Sequence, residues 1–358
     1  MKRTDRFSKV FSILSRDWGV TLGIFFAILV SLIVLRSIAP FVFPLYFIFI
    51  VGSTIAFFVI SMIEFDILAI FSPIFYIGSL AFLVLPIIFG QVTRGAVRWI
   101  PLGPISLQPA EIVRPFLLLF FSFYVHAEPM TAPRFVKTLA LMAVPLFLIL
   151  FQPSLGVTIL TTFAFLGILF TVPYTKRLIL PGILVILLVS PLVWTFMAPY
   201  QKTRVESLIA PHNDPSGAGY NSIQSMIAVG SGKLTGRGLG QGVQTQLSFL
   251  PERHTDFIFA SVSEELGFVG ATLLLIISFS LLSRFISIGS QSKSKVVTAF
   301  ATGAFATLTL QTVVHVGMNM GLFPITGLPL PLISYGGSSL LSTMIIYAVL
   351  LSGKHSRL

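Results

Sequence analysis

Residues 296–353 contain no aspartate, glutamate, lysine or arginine. The same holds for residues 18–35, 37–63 and 67–93. A helix of about 20 apolar residues crosses the hydrocarbon core of a bilayer, so each run is long enough to span and the last can span twice. The chain is 55% hydrophobic and only 10% charged over 358 residues, with a mean hydropathy of +0.95. A water-soluble globule of that size has no interior large enough to hide so much apolar surface. The pattern predicts an all-α polytopic membrane protein, a single integral membrane domain over 1–358. Its ten helices fall over roughly 18–36, 40–62, 66–90, 109–126, 136–151, 154–172, 177–198, 257–284, 297–320 and 333–353. A large extracellular loop, 199–256, separates the seventh from the eighth.

Orientation follows from lysine and arginine in the short loops. One set of loops carries Lys2, Arg3, Arg6, Lys9 and Arg16, then Arg134, Lys137, Lys176, Arg177, Arg284, Lys293 and Lys295, and finally Lys354 and Arg357. The short loops on the other side hold only Arg94 and Arg98. Both termini are therefore expected in the cytoplasm. The basic start, "MKRTDRFSKVFSILSRD", reads as a cytoplasmic tail, since no small-residue cleavage site follows the apolar run. The net charge of +11 reflects this bias and a basic outer site. Nucleic acid is the poorer partner, because no basic run is interleaved with aromatics. There is no cysteine, which excludes disulfides and thiolate metal sites.

Function is sought where polar residues enter the apolar pattern. In "RGAVRWIPLGPISLQPAEIVRP", Pro109 suits a first helical turn and Glu111 is favoured there by the helix dipole. Arg114 shares its face three residues on. A capped helix with a local ion pair, Trp99 serving as interface anchor, explains the stretch as well as a site does. The outer loop holds Gly230, Gly232, Gly236, Gly238, Gly240 and Gly242 around Lys233 and Arg237, a segment able to cradle a pyrophosphate on backbone N–H groups or simply a solvated loop. In "PERHTDFIFASVSEELG", Asp256 stands where the eighth helix begins, either as an N-cap or as a base. Glu264 and Glu265 lie deeper and need partners. A helix-packing network is open for both, and a substrate contact for Glu264. Finally, "GLFPITGLPLPLISYGGSS" carries Pro324, Pro329 and Pro331, which forbid a regular helix. It predicts a re-entrant segment lined by Asn319, Thr326, Ser334 and Tyr335.

Together "HTDFIFASVSEELG", "GLPLPLISYGGSS" and "RGAVRWIPLGPISLQPAEIVRP" resemble the SEDS family of cell-wall proteins (shape, elongation, division and sporulation). The resemblance covers about residues 18–353 and leans to the elongation branch, with the division branch as the alternative. It implies a peptidoglycan glycosyltransferase of the bacterial cytoplasmic membrane. Such a protein polymerises lipid II, carried on undecaprenyl pyrophosphate, beside a class B penicillin-binding protein. Asp256 matches the family's essential aspartate, and Arg98, Trp99, Gln108 and Glu111 match its outer-loop motif. Ala110 stands where the family often has serine, Arg114 where it often has lysine, and Ser154 where many members have aspartate.

On this reading Asp256 takes the proton of an acceptor hydroxyl, and one displacement inverts the donor sugar. Substrate contacts are assigned to Arg98, Trp99, Gln108, Glu111, Arg114, Lys233, Arg237, Glu264, Ser334 and Tyr335. Arg98, Arg114, Lys233 and Arg237 supply the charge for a pyrophosphate leaving group. No cofactor is identified; a divalent cation (Mg or Mn) is an open aid. Rival readings are a lipid II flippase and a non-catalytic scaffold for the penicillin-binding protein. The partner's membrane helix is expected on the lipid-facing side of helices eight and nine, near Gly303, Ala304 and Gly317.

Overall fold

The computed structural model describes residues 17–93, 96–103, 105–173 and 217–356, together with 202, 203, 206 and 208. The expected seventh helix, 177–198, lies outside the described residues, as does most of the loop's first part. What is described is a helical membrane bundle. Seven stretches are long and apolar enough to cross a bilayer, and two shorter apolar helices accompany them. Phe25, Phe47, Ile77 and Phe147 stand more than half exposed on the outside of the bundle. Such side chains have a favourable place only in lipid.

The chain opens with α1 (Trp18–Ile38), α2 (Phe43–Ser61), α3 (Phe65–Ile70) and α4 (Ser72–Phe89). The single helix expected over 66–90 is thus two, because Pro73 starts a new first turn. A second expectation needs correcting. Among the described residues a three-stranded antiparallel sheet interrupts the helices: β1 (Gln91–Thr93), β2 (Ala96–Leu102) and β3 (Ile105–Leu107). Gly103, at φ 64°, supplies the left-handed turn between β2 and β3, which a side chain would resist.

Then come α5 (Pro109–Ile112), α6 (Arg114–Ala127), α7 (Ala132–Phe151) and α8 (Leu155–Leu169). Pro115 restarts the helix at α6, and Pro133 lets α7 begin before residue 136. The described outer loop is not all irregular, for it holds α9 (Ala218–Ser231) and α10 (Val243–Gln246). Long helices α11 (Ile258–Gln291) and α12 (Lys295–Asn319) follow, and α13 (Gly337–Ser352) closes the bundle. Residues 321–336 are non-helical, as the prolines require, so α13 starts at 337 and not at 333.

Asp17 sits beside Arg284 (3.9 Å) and Lys354 (3.6 Å). The start of α1, the late part of α11 and the end of α13 therefore share one end of the bundle. Arg253 donates to the carbonyl of Ile38 at the other end of α1 (2.9 Å), which puts the turn before α11 at the opposite end.

Helix α12 packs against α6, α8 and α11. Glycine makes the contact with α8 possible. A Cβ on Gly303 would lie 2.7 Å from Ile168, 2.8 Å from Leu118 and 2.9 Å from the carbonyl of Ala164. Gly303 and Ala304 are buried, so they hold the bundle together and do not face lipid as expected. Gly317 is buried as well; a Cβ there would run into the ring of Phe323, which covers it from within the same chain. Gly303→Val is expected to destabilise the bundle by about 1–3 kcal/mol through overpacking, read as a lower thermal midpoint in detergent. An unchanged midpoint would mean that α8 and α12 can separate at no cost.

Candidate active site

Three segments distant in sequence converge on a cavity of about 250 Å³. The sheet contributes Arg98, Trp99 and Ser106, and the first turn of α5 contributes Gln108 and Glu111. From the turn before α11 come Glu252, Thr255 and Asp256; from the segment before α13 come Gly327, Pro329, Tyr335 and Gly336. Six residues singled out in the sequence therefore meet: Asp256, Arg98, Trp99, Gln108, Glu111 and Tyr335. Glu252, Thr255 and Pro329 join them. Their proximity to the motif residues was visible in the sequence, but which of them face the cavity was not.

Backbone bonds lock the turn that carries Asp256. The N–H groups of Thr255 and Phe257 both donate to the carbonyl of Glu252 (3.0 and 3.2 Å), whose φ of 53° is left-handed. A non-glycine residue holds that conformation only when its surroundings enforce it. Here Tyr335 N–H donates to the carbonyl of His254 (2.9 Å). Ser334 does not line the cavity. Its hydroxyl donates to the carbonyl of Thr255 and accepts from Leu330 N–H, both at 2.8 Å, so it pins the proline segment to the turn. Burial pushes the Tyr335 phenol up, and Tyr335 lines the cavity.

The opposite wall is equally fixed. Gln108 N–H donates to Ser338 Oγ (2.9 Å), and its side-chain amide reaches Ser154 Oγ at 3.4 Å. Ser154 thus stands one layer behind the cavity. Glu111 is 3% exposed and Arg114 2%. Arg114 does not line the cavity as assigned. Its guanidinium donates to Gln311 Oε1 (2.9 Å), and Gln311 donates to the carbonyl of Pro329 (2.7 Å). Arg114 and Arg98 both act on Glu111 as cations, and Asp256 acts on it as a second anion. Buried charge of this kind persists only in mutual company.

The glycine-rich loop does something other than cradle an anion. At Gly267 (φ 67°, ψ −166°) helix α11 breaks, in a conformation almost exclusive to glycine. In an unbroken helix Phe268 and Val269 would donate to the carbonyls of residues 264 and 265. Instead they donate to the carbonyls of Lys233 and Leu234 (2.9 and 3.1 Å), while Arg237 and Gly238 donate to those of Glu264 and Glu265 (2.9 and 3.0 Å). The loop is spliced into the helix. A Cβ on Gly236 would sit 2.1 Å from the carbonyl oxygen of Glu265, so only glycine fits.

The two glutamates complete the clasp. Glu264 accepts from the N–H groups of Gln244 and Thr245 (2.9 and 3.0 Å). Glu265 Oε1 accepts from Ser37 Oγ, Gly240 N–H and the Gln246 amide (2.8, 3.0 and 3.0 Å). Glu264 is therefore a loop anchor outside the cavity wall, and the N–H groups of Arg237, Gly238 and Gly240 are already taken. Lys233 and Arg237 are exposed and do not line the cavity. Glu264→Gln turns one carboxylate oxygen into an NH₂ facing an N–H, at a cost of about 1–3 kcal/mol. Trypsin should then cut faster after Lys233 and Arg237, and an unchanged cleavage rate would detach Glu264 from the loop.

The chain is similar to known proteins over most of its length. Residues 10–357 match the FtsW/RodA/SpoVE family model, described as "Cell cycle protein". The chain is 39% identical over 284 residues to peptidoglycan glycosyltransferase MrdB of Escherichia coli K12, covering 78% of this chain and 77% of that one. It is 38% identical over 283 residues to the probable peptidoglycan glycosyltransferase FtsW of Buchnera aphidicola (76% and 73% covered). A solved chain from work described as "Structural coordination of polymerization and crosslinking by a peptidoglycan synthase complex" superposes with a TM-score of 0.84 at 28% identity, covering 95% of this chain and 98% of its own. The Thermus thermophilus rod shape determining protein RodA superposes at 0.72 with 25% identity, 95% and 97% covered. Matched over nearly its whole length, and carrying the family's three motifs around one cavity, the chain belongs to the FtsW/RodA/SpoVE, or SEDS, family of multi-pass membrane proteins.

Proposed function

We infer that this chain is a peptidoglycan glycosyltransferase that polymerises lipid II at the outer face of the bacterial cytoplasmic membrane, for elongation and rod shape. The observation that carries the reading is the cavity itself. It gathers a carboxylate, Asp256, with the cation Arg98 at the end of the bundle opposite Asp17 and Lys354. The positive-inside bias puts both termini in the cytoplasm and hence the cavity outside, where a lipid-linked sugar stands in water above its own anchor. A flippase would place such charges along a path through the membrane, whereas the cavity charges gather at one end.

In the proposed reaction the Asp256 carboxylate accepts the proton of the acceptor's GlcNAc 4-hydroxyl. The freed O4 forms a bond to C1 of the donor's MurNAc. The C1–oxygen bond to undecaprenyl pyrophosphate breaks, and the pyrophosphate leaves with the electron pair. One displacement converts the α-linked donor into a β-linked product. Arg98 faces the charge that develops on the leaving group, and the Tyr335 phenol offers a further hydrogen bond.

Asp256→Asn preserves size and hydrogen bonding but cannot take the proton. Glycan-strand formation from lipid II, with amounts matched by folded protein, is expected to fall about 10²-fold or more. Near wild-type strands would leave Asp256 a structural residue of the turn; the N-cap of α11 is Phe257 and receives no side-chain bond.

The partner proposed is a class B penicillin-binding protein, docked by its single membrane helix. An apolar groove of about 200 Å³ between α11 and α12 suits it, lined by Leu275, Phe279, Val313, Val316, Gly317 and Phe323. It lies towards the cavity end of α12. Photo-crosslinkers at Phe279 and Val313 should capture the partner. Capture only from α1 to α4 would move the dock elsewhere.

A further inference from the structure

The last residue of α12, Asn319, is fully buried and holds both sides of the start of α11. Its Oδ1 accepts from Ala260 N–H at 3.0 Å. Its Nδ2 donates to the carbonyl of Asp256 at 3.0 Å and to that of His315 at 2.7 Å. The amide fits only this way round: reversed, its NH₂ would face an N–H and its oxygen two carbonyls. Each bond meets a need left by the helix start. The first N–H groups of a helix have no partner within it, and no side chain of the N-cap residue Phe257 serves α11. Asn319 caps Ala260 from another helix. The carbonyl of Asp256 precedes the helical ladder, which begins with Ser261 N–H on the carbonyl of Phe257, so it too needs an outside donor.

Asn319 does not line the cavity, and it is not alone on its face of α12. Gln311 and His315, four and eight residues earlier in reverse order, hold the carbonyls of Pro329 and Leu328, each at 2.7 Å. One stripe of α12 thus grips both the proline segment and the turn of Asp256. We propose that Asn319 is the positioning residue of the glycosyl transfer, fixing the direction in which Asp256 presents its carboxylate to the acceptor hydroxyl. This rests on the reading of Asp256 as the base.

The test is a double-mutant cycle on lipid II polymerisation, with folded protein quantified for each variant. Asn319→Ala removes both bonds, and misplacing a reacting group by about 1 Å can slow a reaction about 10²-fold. Expected is a fall in kcat of about tenfold or more with KM for lipid II unchanged, because Asn319 touches no substrate. In the Asp256→Asn background the same substitution should cost less than about threefold, since residues acting as one unit are not additive. Asn319→Ser is the milder second variant: its hydroxyl bonds its own helix at His315 and falls short of Asp256. It should show the same pattern at smaller amplitude, and it decides the matter if the alanine variant does not fold. Full kcat in either folded variant, a change in KM alone, or an equal loss in both backgrounds overturns the inference. Wild-type rate in Asp256→Asn alone overturns the base and the positioning role with it, whereas full rate in Asn319→Ala beside a dead Asp256→Asn overturns only the latter.

Discussion

The break in α11 at Gly267 is the constraint on which the cavity half of the molecule depends. A helix interrupted in an apolar setting exposes two N–H groups and two carbonyls, each expensive to leave unpaired. Residues 233–238 supply all four missing partners. Because the exchange is backbone to backbone, it demands close approach, and glycine stands at the contact on both sides. The carboxylates of Glu264 and Glu265 then tie the rest of the loop and the end of α1 to the same point. The segment of α11 before the break is buried in protein, and its lipid-facing side chains begin at Phe268.

That arrangement frees the turn before α11 to serve as a cavity wall. Asp256 is placed by backbone bonds to its neighbours and by side chains from α12 and the proline segment, not by a helix of its own. The strained φ of Glu252 belongs to the same turn. Across the cavity, Glu111 and Arg114 are buried together, and Arg114 reaches the proline segment through Gln311. A buried cation one layer behind the wall adds positive potential to a site proposed to receive a pyrophosphate, and low polarity strengthens its reach. Arginine, with its planar fork, suits the amide oxygen of Gln311 where a lysine would offer a point charge.

Much of this was legible in the chain. Charge-free runs located the spans, because lipid accepts little else. The prolines of 324–331 predicted a non-helical segment with Tyr335 on its lining, and the resemblance named five further residues that meet in the cavity. Other readings failed for physical reasons. The sheet at 91–107 is short, and its strand residues alternate too briefly to stand out from the apolar background. The Gly-rich loop looked like an anion cradle because exposed N–H groups and a helix splice need the same glycines. Gly303 and Ala304 looked lipid-facing because a small residue reads the same against a neighbouring helix as against a partner.

By itself the sequence determined that the chain must lie in a bilayer and which polar residues were too costly to be incidental. It could not determine where those residues point. Ser334, Glu264 and Arg114 share the motifs of Tyr335, Asp256 and Glu111, yet the first three hold backbone, loop and amide while the others face the cavity. That division depends on partners hundreds of residues away, such as Ser338 for Gln108 and Gln311 for Arg114. Only the packed structure decides it, because a hydrogen bond is made or lost over less than an ångström, a scale on which spacing along a chain carries no information.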